Sequence, residues 1–182
     1  MGDCSDKELL QKFKNEATCS YAFNLLIRKY QKKIYRHVRR IVIDHDDAND
    51  VVQNVFIKVW KGLKNFRADS KLFTWLYRIA TNEALTFLNQ KRTMFFIPVA
   101  DVENQLSASL EYDDSFRGDE IQLKLQKAIL TLPPKQRVVF NMRYYDEMKY
   151  EEMAEVLNTS VGALKASYHH AVKKIEKYLT GN

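Results

Sequence analysis

The sequence predicts an all-α protein made of two small helical domains joined by a flexible linker. Only 5 Gly and 3 Pro interrupt its 182 residues, so long helices can run without a break. Apolar residues recur at steps of three and four on either side of an acidic segment that lacks this period. At about 150 residues per domain, the length allows one medium or two small domains, each with a buried core.

The first long helix is predicted from Tyr21 to Ile43, because one face of this segment is apolar. That face consists of Phe23, Leu26, Ile27, Tyr30, Ile34, Val38, Ile41 and Val42. The acidic residues Asp44, Asp46 and Asp47 then mark a break in the chain and the start of another helix.

The next helix is predicted from about Asp47 to Leu63. Its buried face is expected to carry Val52, Val55, Phe56, Val59 and Leu63. At 100° per residue, the opposite face carries Asp50, Gln53, Asn54, Ile57 and Lys61. An exposed Ile among polar side chains indicates a partner surface, but single surface apolar residues are also common on solvated faces.

A third helix is predicted from about Lys71 to Lys91, after a loop from Phe66 to Ser70. Its core residues are expected to be Leu72, Leu76, Ile79, Ala80 and Phe87. A second stripe along this helix contains Trp75, Arg78, Asn82, Thr86 and Asn89. Such a stripe can stack on unpaired bases and hydrogen-bond their edges or phosphates, although a Trp in a helix is more often a core residue.

Residues 93–119 lack periodicity and predict a linker, with 6 acidic and 1 basic side chains. The blocks on either side are basic, with 18 basic and 10 acidic residues in 1–92 and 10 and 7 in 120–182. This pattern indicates two modules that face polyanions. Alternatively, a protein with an ordinary solvated surface and an acidic loop would give the same counts. The apolar run from Met94 to Ile97 is expected to dock on the first domain or to bind a partner.

The C-terminal block predicts four helices. Their expected bounds are Glu120 to Leu130, Lys135 to Tyr145, Tyr150 to Leu157 and Val161 to Tyr178. Only Asn158, Thr159 and Ser160 separate the last two, and Ser160 is a favourable N-cap. Two helices joined by a three-residue turn, with the second one longer and basic, predict a helix-turn-helix motif.

The last helix has one apolar and one polar face. The buried face is expected to hold Val161, Leu164, Tyr168, Val172 and Ile175. The outward residues are Gly162, Ala163, Ala166, His169, His170 and Lys173, with Lys165 at the flank. Small residues near its start let the helix enter a major groove, where Lys and His can reach base edges and the later lysines neutralise phosphate.

Several functional classes are disfavoured by the residues. There is no Walker loop, GxSxG, HExxH or paired-carboxylate arrangement, so neither an enzyme nor a cofactor is expected. Cys4 and Cys19 lack ligand spacing, and His169 and His170 diverge by about 100° on a helix, so no disulfide framework or metal site is expected. Short apolar runs and the lack of an apolar stretch in residues 1–10 predict a cytoplasmic protein.

Two segments of the chain, in this order, resemble conserved regions of bacterial sigma factors of the extracytoplasmic-function (ECF) group of the sigma-70 family. Asp47 to Leu85 resembles region 2 and reads DANDVVQNVFIKVWKGLKNFRADSKLFTWLYRIATNEAL. Leu130 to Leu179 resembles region 4 and reads LTLPPKQRVVFNMRYYDEMKYEEMAEVLNTSVGALKASYHHAVKKIEKYL. The resemblance implies a region 2 domain in residues 1–92, an acidic linker in 93–119 and a region 4 domain in 120–182.

The resemblance implies a subunit that directs core RNA polymerase to promoters and helps to melt them. It implies binding to the coiled coil of the polymerase β′ clamp through Asp50, Gln53, Asn54 and Ile57. It further implies contact with the polymerase β flap, passage of the linker near the RNA exit path, and control by an anti-sigma factor.

The resemblance also implies two DNA sites. The minus-10 strand is expected to bind at Ser70, Lys71, Trp75, Tyr77, Arg78 and Asn82. The minus-35 duplex is expected to bind at Lys135, Arg137, Lys165, Ala166, His169, His170 and Lys173. An Ala-Ser-Tyr-His-His stretch stands where the family has an Arg-rich one, so a different minus-35 preference is expected.

A stand-alone helix-turn-helix regulator is the alternative, with the N-terminal helices used for dimerisation or sensing. It predicts binding to duplex DNA without polymerase. It gives no reason for the stripe from Trp75 to Asn89.

Overall fold

The computed structural model describes residues 5–94 and 120–181 of the chain. Within these ranges the chain forms eight helices and no strand, which confirms the all-α prediction. The helices are α1 (Asp6–Lys14), α2 (Cys19–Val42), α3 (His45–Leu63), α4 (Leu72–Met94), α5 (Glu120–Leu130), α6 (Pro134–Tyr144), α7 (Tyr150–Leu157) and α8 (Val161–Thr180). None of these helices is long and apolar enough to cross a membrane.

The predicted linker lies outside the described residues from position 95 onward. The same is true of Phe95, Phe96 and Ile97, which were expected to dock on the first domain or to bind a partner, and of Cys4. Cys19 is described, and its thiol is free.

Helix α1 was not predicted, although its start carries a recognisable signal. The Ser5 hydroxyl accepts a hydrogen bond from the Glu8 amide at 3.3 Å, and the Glu8 carboxylate accepts one from the Ser5 amide at 2.9 Å. This reciprocal pair is a capping box and satisfies two amides at the helix start. Leu9 and Phe13 are then buried against the rest of the protein.

The other helices begin and end within three residues of their predicted bounds. Helix α3 begins at His45 rather than Asp47, because the Asp44 carboxylate accepts hydrogen bonds from the amides of residues 46 and 47 at 2.9 and 3.0 Å. Ser160 is the N-cap of α8, as predicted, and accepts from the Ala163 amide at 3.2 Å. Helix α8 continues to Thr180, where Gly181 ends it at φ 74°.

Helices α1 to α4 form what we call the front unit. Helix α2 lies at its centre and packs against α1, α3 and α4. The core is built from aliphatic side chains that are completely or almost completely buried, such as Ile34, Val55 and Leu76. The helical period thus predicted most of the inner face of each long helix, whereas Phe23, Ile27, Val52, Ile79 and Phe87 are only partly buried.

Helices α5 to α8 form what we call the rear unit. Its own apolar cluster is small and contains Ala128, Ile129, Leu132, Phe140, Ala171 and Ile175. The ring of Phe140 stacks between those of Tyr144 and Tyr168, at centroid distances of 5.2 and 5.7 Å. These aromatic contacts join α6 to α8.

The two units pack directly against each other, which the sequence did not predict. Helix α4 contacts α7, and α2 contacts α6. The apolar core of the front unit continues into the rear unit through Val138, Val139, Met142, Met148, Met153, Val156 and Leu164. Much of the rear unit's apolar surface is therefore buried against the front unit rather than within its own bundle.

Candidate nucleic-acid interfaces

The outer face of α3 is arranged as the sequence predicted. Asp50, Gln53, Asn54 and Ile57 are all exposed, and 52% of the surface of Ile57 is accessible. Val51, Val55 and Val59 point the opposite way and are completely buried. The four predicted residues therefore share one solvent-facing surface beside the core.

A groove of about 1060 Å³ lies next to this face, between α2 and α3. Gln53 and Ile57 line it together with Phe23, Ile27 and Val52. These last three were expected in the core, but each is only partly buried. The sequence missed the groove because a period of 3.6 residues shows which face is apolar, not whether a neighbouring helix covers all of it.

Trp75 is held in place by the end of α3 and the following loop. Its ring lies 5.1 Å from that of Phe66, measured between centroids. A Cβ atom added at Gly62 would lie 3.1 Å from the Trp75 ring, so glycine allows this close approach. Trp75 is partly exposed and lies beside the loop from Phe66 to Ser70. Ser70, at the end of this loop, is also partly exposed.

Three predicted minus-10 residues on or next to α4 face the rear unit. The Lys71 ammonium lies 2.9 Å from a Glu152 carboxylate oxygen on α7. The Arg78 guanidinium donates a hydrogen bond to the backbone carbonyl of Glu155. Asn82 lines a cavity of about 400 Å³ between α4, α6 and α8. Three of the six predicted minus-10 residues therefore contact or face the rear unit in this structure.

The contact between Lys71 and Glu152 shifts the titration of both groups in the sense expected of an ion pair. The hydrogen bond with Glu152 raises the pKa of Lys71 above its ordinary value. The hydrogen bond from Lys71 lowers the pKa of Glu152, against a smaller opposing effect of desolvation. Both shifts favour the charged forms of the two groups.

Tyr77 differs from its predicted role as an exposed DNA contact. Only 3% of its surface is accessible, and its ring packs 4.3 Å from that of Phe73 and 4.6 Å from that of His37. Burial is the main cause that raises its pKa far above the ordinary value. Because α2 covers this side of α4, Tyr77 belongs to the packed interior here and can only support its neighbours from behind.

The outer face of α8 matches the prediction. Gly162, Ala163, Lys165, Ala166, His169, His170 and Lys173 are all exposed. On the inner side Leu164 and Ile175 are buried, whereas Val161, Tyr168 and Val172 are partly buried. Ala171 is also fully buried, and the sequence missed it because a search for large apolar residues passes over alanine.

Lys165 has an aromatic neighbour at the start of the helix-turn-helix. Its ammonium lies 5.7 Å from the centroid of the Tyr150 ring. The Arg143 guanidinium lies 5.1 Å from the same ring. Contacts of this kind bring cations over an aromatic face without removing them from solvent.

Arg137 differs from its predicted role as a phosphate contact, whereas Lys135 is exposed as expected. Arg137 is 3% exposed and donates hydrogen bonds to the backbone carbonyls of Leu130 and Leu132 at 3.0 and 3.2 Å. The carbonyls at the end of a helix need partners, and the prolines that follow α5 have no N–H group to donate. Arg137 therefore stabilises the turn between α5 and α6.

A polar cluster between the units was missed altogether. His37 is completely buried, with Nε2 2.8 Å from the Thr81 hydroxyl and Nδ1 3.2 Å from an Asp146 carboxylate oxygen. Arg40 donates to the other oxygen of Asp146 at 2.6 Å, and its backbone carbonyl accepts from Asn141 at 3.2 Å. The partners in different units are about a hundred residues apart in the chain, and Thr81 lies 44 residues from His37, so no local pattern could have revealed the cluster.

Metal binding has no support in the described part of the chain. Within residues 5–94 and 120–181, no three His, Cys, Asp or Glu side chains are grouped as metal ligands. The rings of His169 and His170 lie 6.0 Å apart on the exposed face of α8. Successive residues on a helix diverge by about 100°, so the two side chains leave the helix in different directions.

Comparison with known protein families matches both units. The model of Sigma-70 region 2 matches residues 26–93, and the model of Sigma-70, region 4 matches residues 122–175. The first match runs from α2 to α4, and the second from α5 to α8.

Three curated relatives align across both units. The RNA polymerase sigma-H factor of Pseudomonas aeruginosa is 34% identical over 168 residues, which are 87% of this chain and 86% of that protein. The ECF RNA polymerase sigma factor SigW of Bacillus subtilis is 31% identical, over 87% of this chain and 89% of that protein. The ECF RNA polymerase sigma-E factor of Escherichia coli is 32% identical, over 85% of each.

Two solved structures have the same fold. CnrH, in complex with the cytosolic domain of CnrY, gives a TM-score of 0.70 at 22% identity and covers 97% of this chain and 98% of that chain. RpoE of Bartonella quintana, in complex with the anti-sigma factor NepR, gives a TM-score of 0.66 at 18% identity, with 87% and 96% covered.

Proposed function

The chain belongs to the ECF group of the sigma-70 family of RNA polymerase sigma factors, and from this premise we propose which surface performs each step. A sigma factor directs core RNA polymerase to specific promoters and promotes their melting. The relatives align across the front and rear units alike, so a regulator that uses only a helix-turn-helix is not favoured. We assign no catalytic residue to the chain, because binding energy alone can shift a promoter from closed to open.

For the polymerase, we propose that the β′ clamp coiled coil docks on Asp50, Gln53, Asn54 and Ile57. Exposure of an isoleucine beside an apolar groove supports this, because a helix laid there would cover both. The polar residues around Ile57 would orient the partner rather than supply most of the affinity.

For the minus-10 strand, we propose a base-capture site between the loop from Phe66 to Ser70 and the outer side of α4. Extrusion of a base costs a few kcal/mol, which contacts in a protein pocket must recover. Trp75 supplies an anchored aromatic edge next to Ser70, while Lys71, Arg78 and Asn82 supply donors for phosphate and base edges. Tyr77 is proposed to support this side of α4 from within.

For the minus-35 duplex, we propose that the start of α8 enters the major groove. The absence of large side chains at 162, 163 and 166 lets the helix approach closely, so that Lys165, His169 and His170 can reach base edges. Lys135 and Lys173 would contact phosphate. Arg137 would act indirectly, by fixing the turn before α6.

We further propose domain limits at 1–92, 93–119 and 120–182, contact between the rear unit and the polymerase β flap, and control by an anti-sigma factor. The solved RpoE structure is a complex with such a factor, which supports the last proposal by likeness of fold.

The central test combines the purified chain with core RNA polymerase and a library of promoter fragments, and sequences the 5′ ends of the transcripts. We expect transcripts that start at a fixed distance from a shared pair of motifs. Specific binding to duplex DNA together with no polymerase-dependent start sites would overturn the proposal.

A variant of the α3 face sharpens this test. Ile57→Ala should weaken binding to core polymerase about threefold to tenfold, because it removes roughly half of the apolar burial of one Ile side chain. Tyr21→Ala is the matched control, since Tyr21 is 60% exposed in the same unit but does not line the groove. Equal effects of the two changes on polymerase binding would argue against the proposed docking face.

A further inference from the structure

The cavity of about 400 Å³ beside Asn82 lies where helices of both units meet. Its lining residues come from α4 of the front unit and from α6, α7, α8 and the turn before α8 in the rear unit. Protein interiors seldom leave a void larger than a water molecule, whereas small-molecule sites are typically cavities of roughly 300–1,000 Å³. This cavity is therefore large enough to hold a bound molecule.

The buried lining residues are apolar and form what we call the floor of the cavity. Val138, Val139 and Leu164 are each no more than 4% exposed, and Leu85 and Leu157 are partly buried. Water finds few hydrogen-bond partners on such a surface, and an apolar group that covers the floor gains free energy by leaving water. The floor therefore favours a hydrocarbon group as the occupant.

The more exposed lining residues are mostly polar and form what we call the mouth. Asn82, Lys135 and Thr159 are exposed, and Ser167 is partly buried. Lys135 is the one ionisable side chain among the described lining residues, and no ion pair of its ammonium group is found in residues 5–94 and 120–181. The Asn82 amide and the Ser167 hydroxyl can both donate hydrogen bonds. The mouth thus suits an anionic group.

The volume limits the size of the occupant. At about 30 Å³ for each non-hydrogen atom, the share of a water molecule in the liquid, the cavity holds about a dozen such atoms. A carboxylate with a straight chain of about eight to ten carbons has roughly that number. A single phosphate ion would leave the floor uncovered, and a nucleotide is too large and too polar.

We propose that the cavity binds a medium-chain carboxylate, with the headgroup at Lys135 and the hydrocarbon chain on the floor. Asn82 and Ser167 supply further donors to the carboxylate oxygens. This site does not depend on the proposed function, because the floor has no part in either proposed DNA site. Since the walls come from both units, the bound molecule stabilises the contact between them.

The first test measures binding of octanoate to the purified full-length chain by isothermal titration calorimetry. A ligand of about ten non-hydrogen atoms is expected to bind with a Kd of about 0.1–1 mM. No binding of octanoate at roughly ten times the upper end of this range would overturn the proposal.

A pair of alanine variants tests where octanoate binds. Ala163→Leu fills the cavity from an exposed position on α8, whereas Ala166→Leu makes the same change on the same helix at an exposed residue outside the lining. Octanoate should bind about tenfold or more weakly to Ala163→Leu, because the added side chain takes up its space, and with unchanged affinity to Ala166→Leu. Equal affinities of the two variants would place octanoate elsewhere, such as in the groove between α2 and α3, and would overturn the proposal.

A pair of lysine variants tests the charge at the mouth. Lys135→Gln removes the cation that lines the cavity, and Lys174→Gln removes an exposed lysine of α8 that does not line it. Lys135→Gln should weaken octanoate about twofold to fivefold, as expected for loss of an exposed ion pair, and should leave binding of the uncharged 1-octanol unchanged. Equal losses for octanoate and 1-octanol, or equal effects of the two lysine variants, would overturn the assignment of the carboxylate to Lys135.

Two further measurements complete the test. Circular dichroism shows whether each variant keeps its helices, and if Ala163→Leu lowers the helical signal, the lysine pair still decides because both lysines are exposed. Saturating octanoate should slow hydrogen exchange in α4 and α8 of the unchanged chain together, because both helices line the cavity. Protection confined to one unit would overturn a site shared by the two.

Discussion

The front and rear units present their proposed DNA-binding residues in different ways. On α8 the residues lie along one open helix face, and most side chains point into solvent. On α4 and the residue before it, Trp75 is packed against Phe66, Tyr77 is buried, and Lys71 and Arg78 contact the rear unit. Reading intact duplex needs an exposed helix, whereas holding an extruded base needs a preformed site with several walls.

The two units also differ in how much of their core is their own. Aliphatic residues of α2, α3 and α4 surround each other in the front unit, while much of the apolar surface of the rear unit joins that same cluster. The cluster confined to the rear unit contains only six buried residues. The rear unit therefore depends on the front unit for a larger part of its buried apolar surface than the front unit depends on the rear one.

The largest expected effect tests this dependence. Leu164→Ala removes a side chain that is 1% exposed from the shared cluster, and Ile175→Ala removes one from the cluster confined to the rear unit. Each should lower the free energy of unfolding by about 2–4 kcal/mol. By hydrogen exchange, Leu164→Ala should loosen α4 as well as the rear unit, whereas Ile175→Ala should leave α4 protected.

Lys165 tests the open face of α8. Lys165→Ala should change the preferred base at one or two minus-35 positions by about tenfold, because a lost base-edge contact affects sequence preference. Lys174→Ala, further along the same helix, should weaken all sequences to a similar degree, as expected of a phosphate contact. Selection from a randomised minus-35 library with holoenzyme measures both effects, and identical preferences for the two variants would contradict the assignment.

Asn82 tests the more enclosed site. Asn82→Ala should reduce open-complex formation about threefold to tenfold, because one hydrogen bond to an unpaired base is lost. Binding to the closed duplex should change little. Permanganate reactivity of promoter thymines measures opening, with Gln90→Ala, another exposed amide on α4, as the control. Unchanged opening by Asn82→Ala would show that this residue does not contact the melted strand.

The smallest expected effect is the pH dependence of the contact between the units. The hydrogen bond from Lys71 lowers the pKa of Glu152, with Lys149 acting in the same sense. The contact is therefore fully present above the ordinary carboxylate pKa of about 4.3 and is lost as the pH falls through the lowered value.

This pH dependence is visible in the difference between two proteins. The quantity to measure is the ratio of two affinities for single-stranded DNA, that of Glu152→Gln divided by that of the unchanged chain. Ionised Glu152 holds Lys71, which is proposed to bind the minus-10 strand, so this ratio should be greatest near neutral pH. It should approach one as Glu152 becomes protonated. Glu155, which also raises the pKa of Lys71, is present in both proteins, so its effect cancels in the ratio. A ratio that stays constant in acid, while circular dichroism shows both chains folded, would exclude an ionised Glu152 as the source of the effect.

The sequence by itself determined the seven helices from α2 to α8, most of the residues on their inner and outer faces and the turn capped by Ser160. These features depend on neighbours three or four residues away, which a helical period records. For the same reason the exposed sets on α3 and α8 could be named correctly before the fold was known.

Only the tertiary structure decided which polar residues turn inward and what the outer faces touch. Arg137 is buried because carbonyls at the end of α5 need its donors, and Tyr77 is buried because α2 covers it. The contact of Asp146 with His37 and Arg40 joins residues over a hundred positions apart. Side-chain periodicity is local, whereas burial and pairing between helices depend on which surfaces meet after the chain has folded.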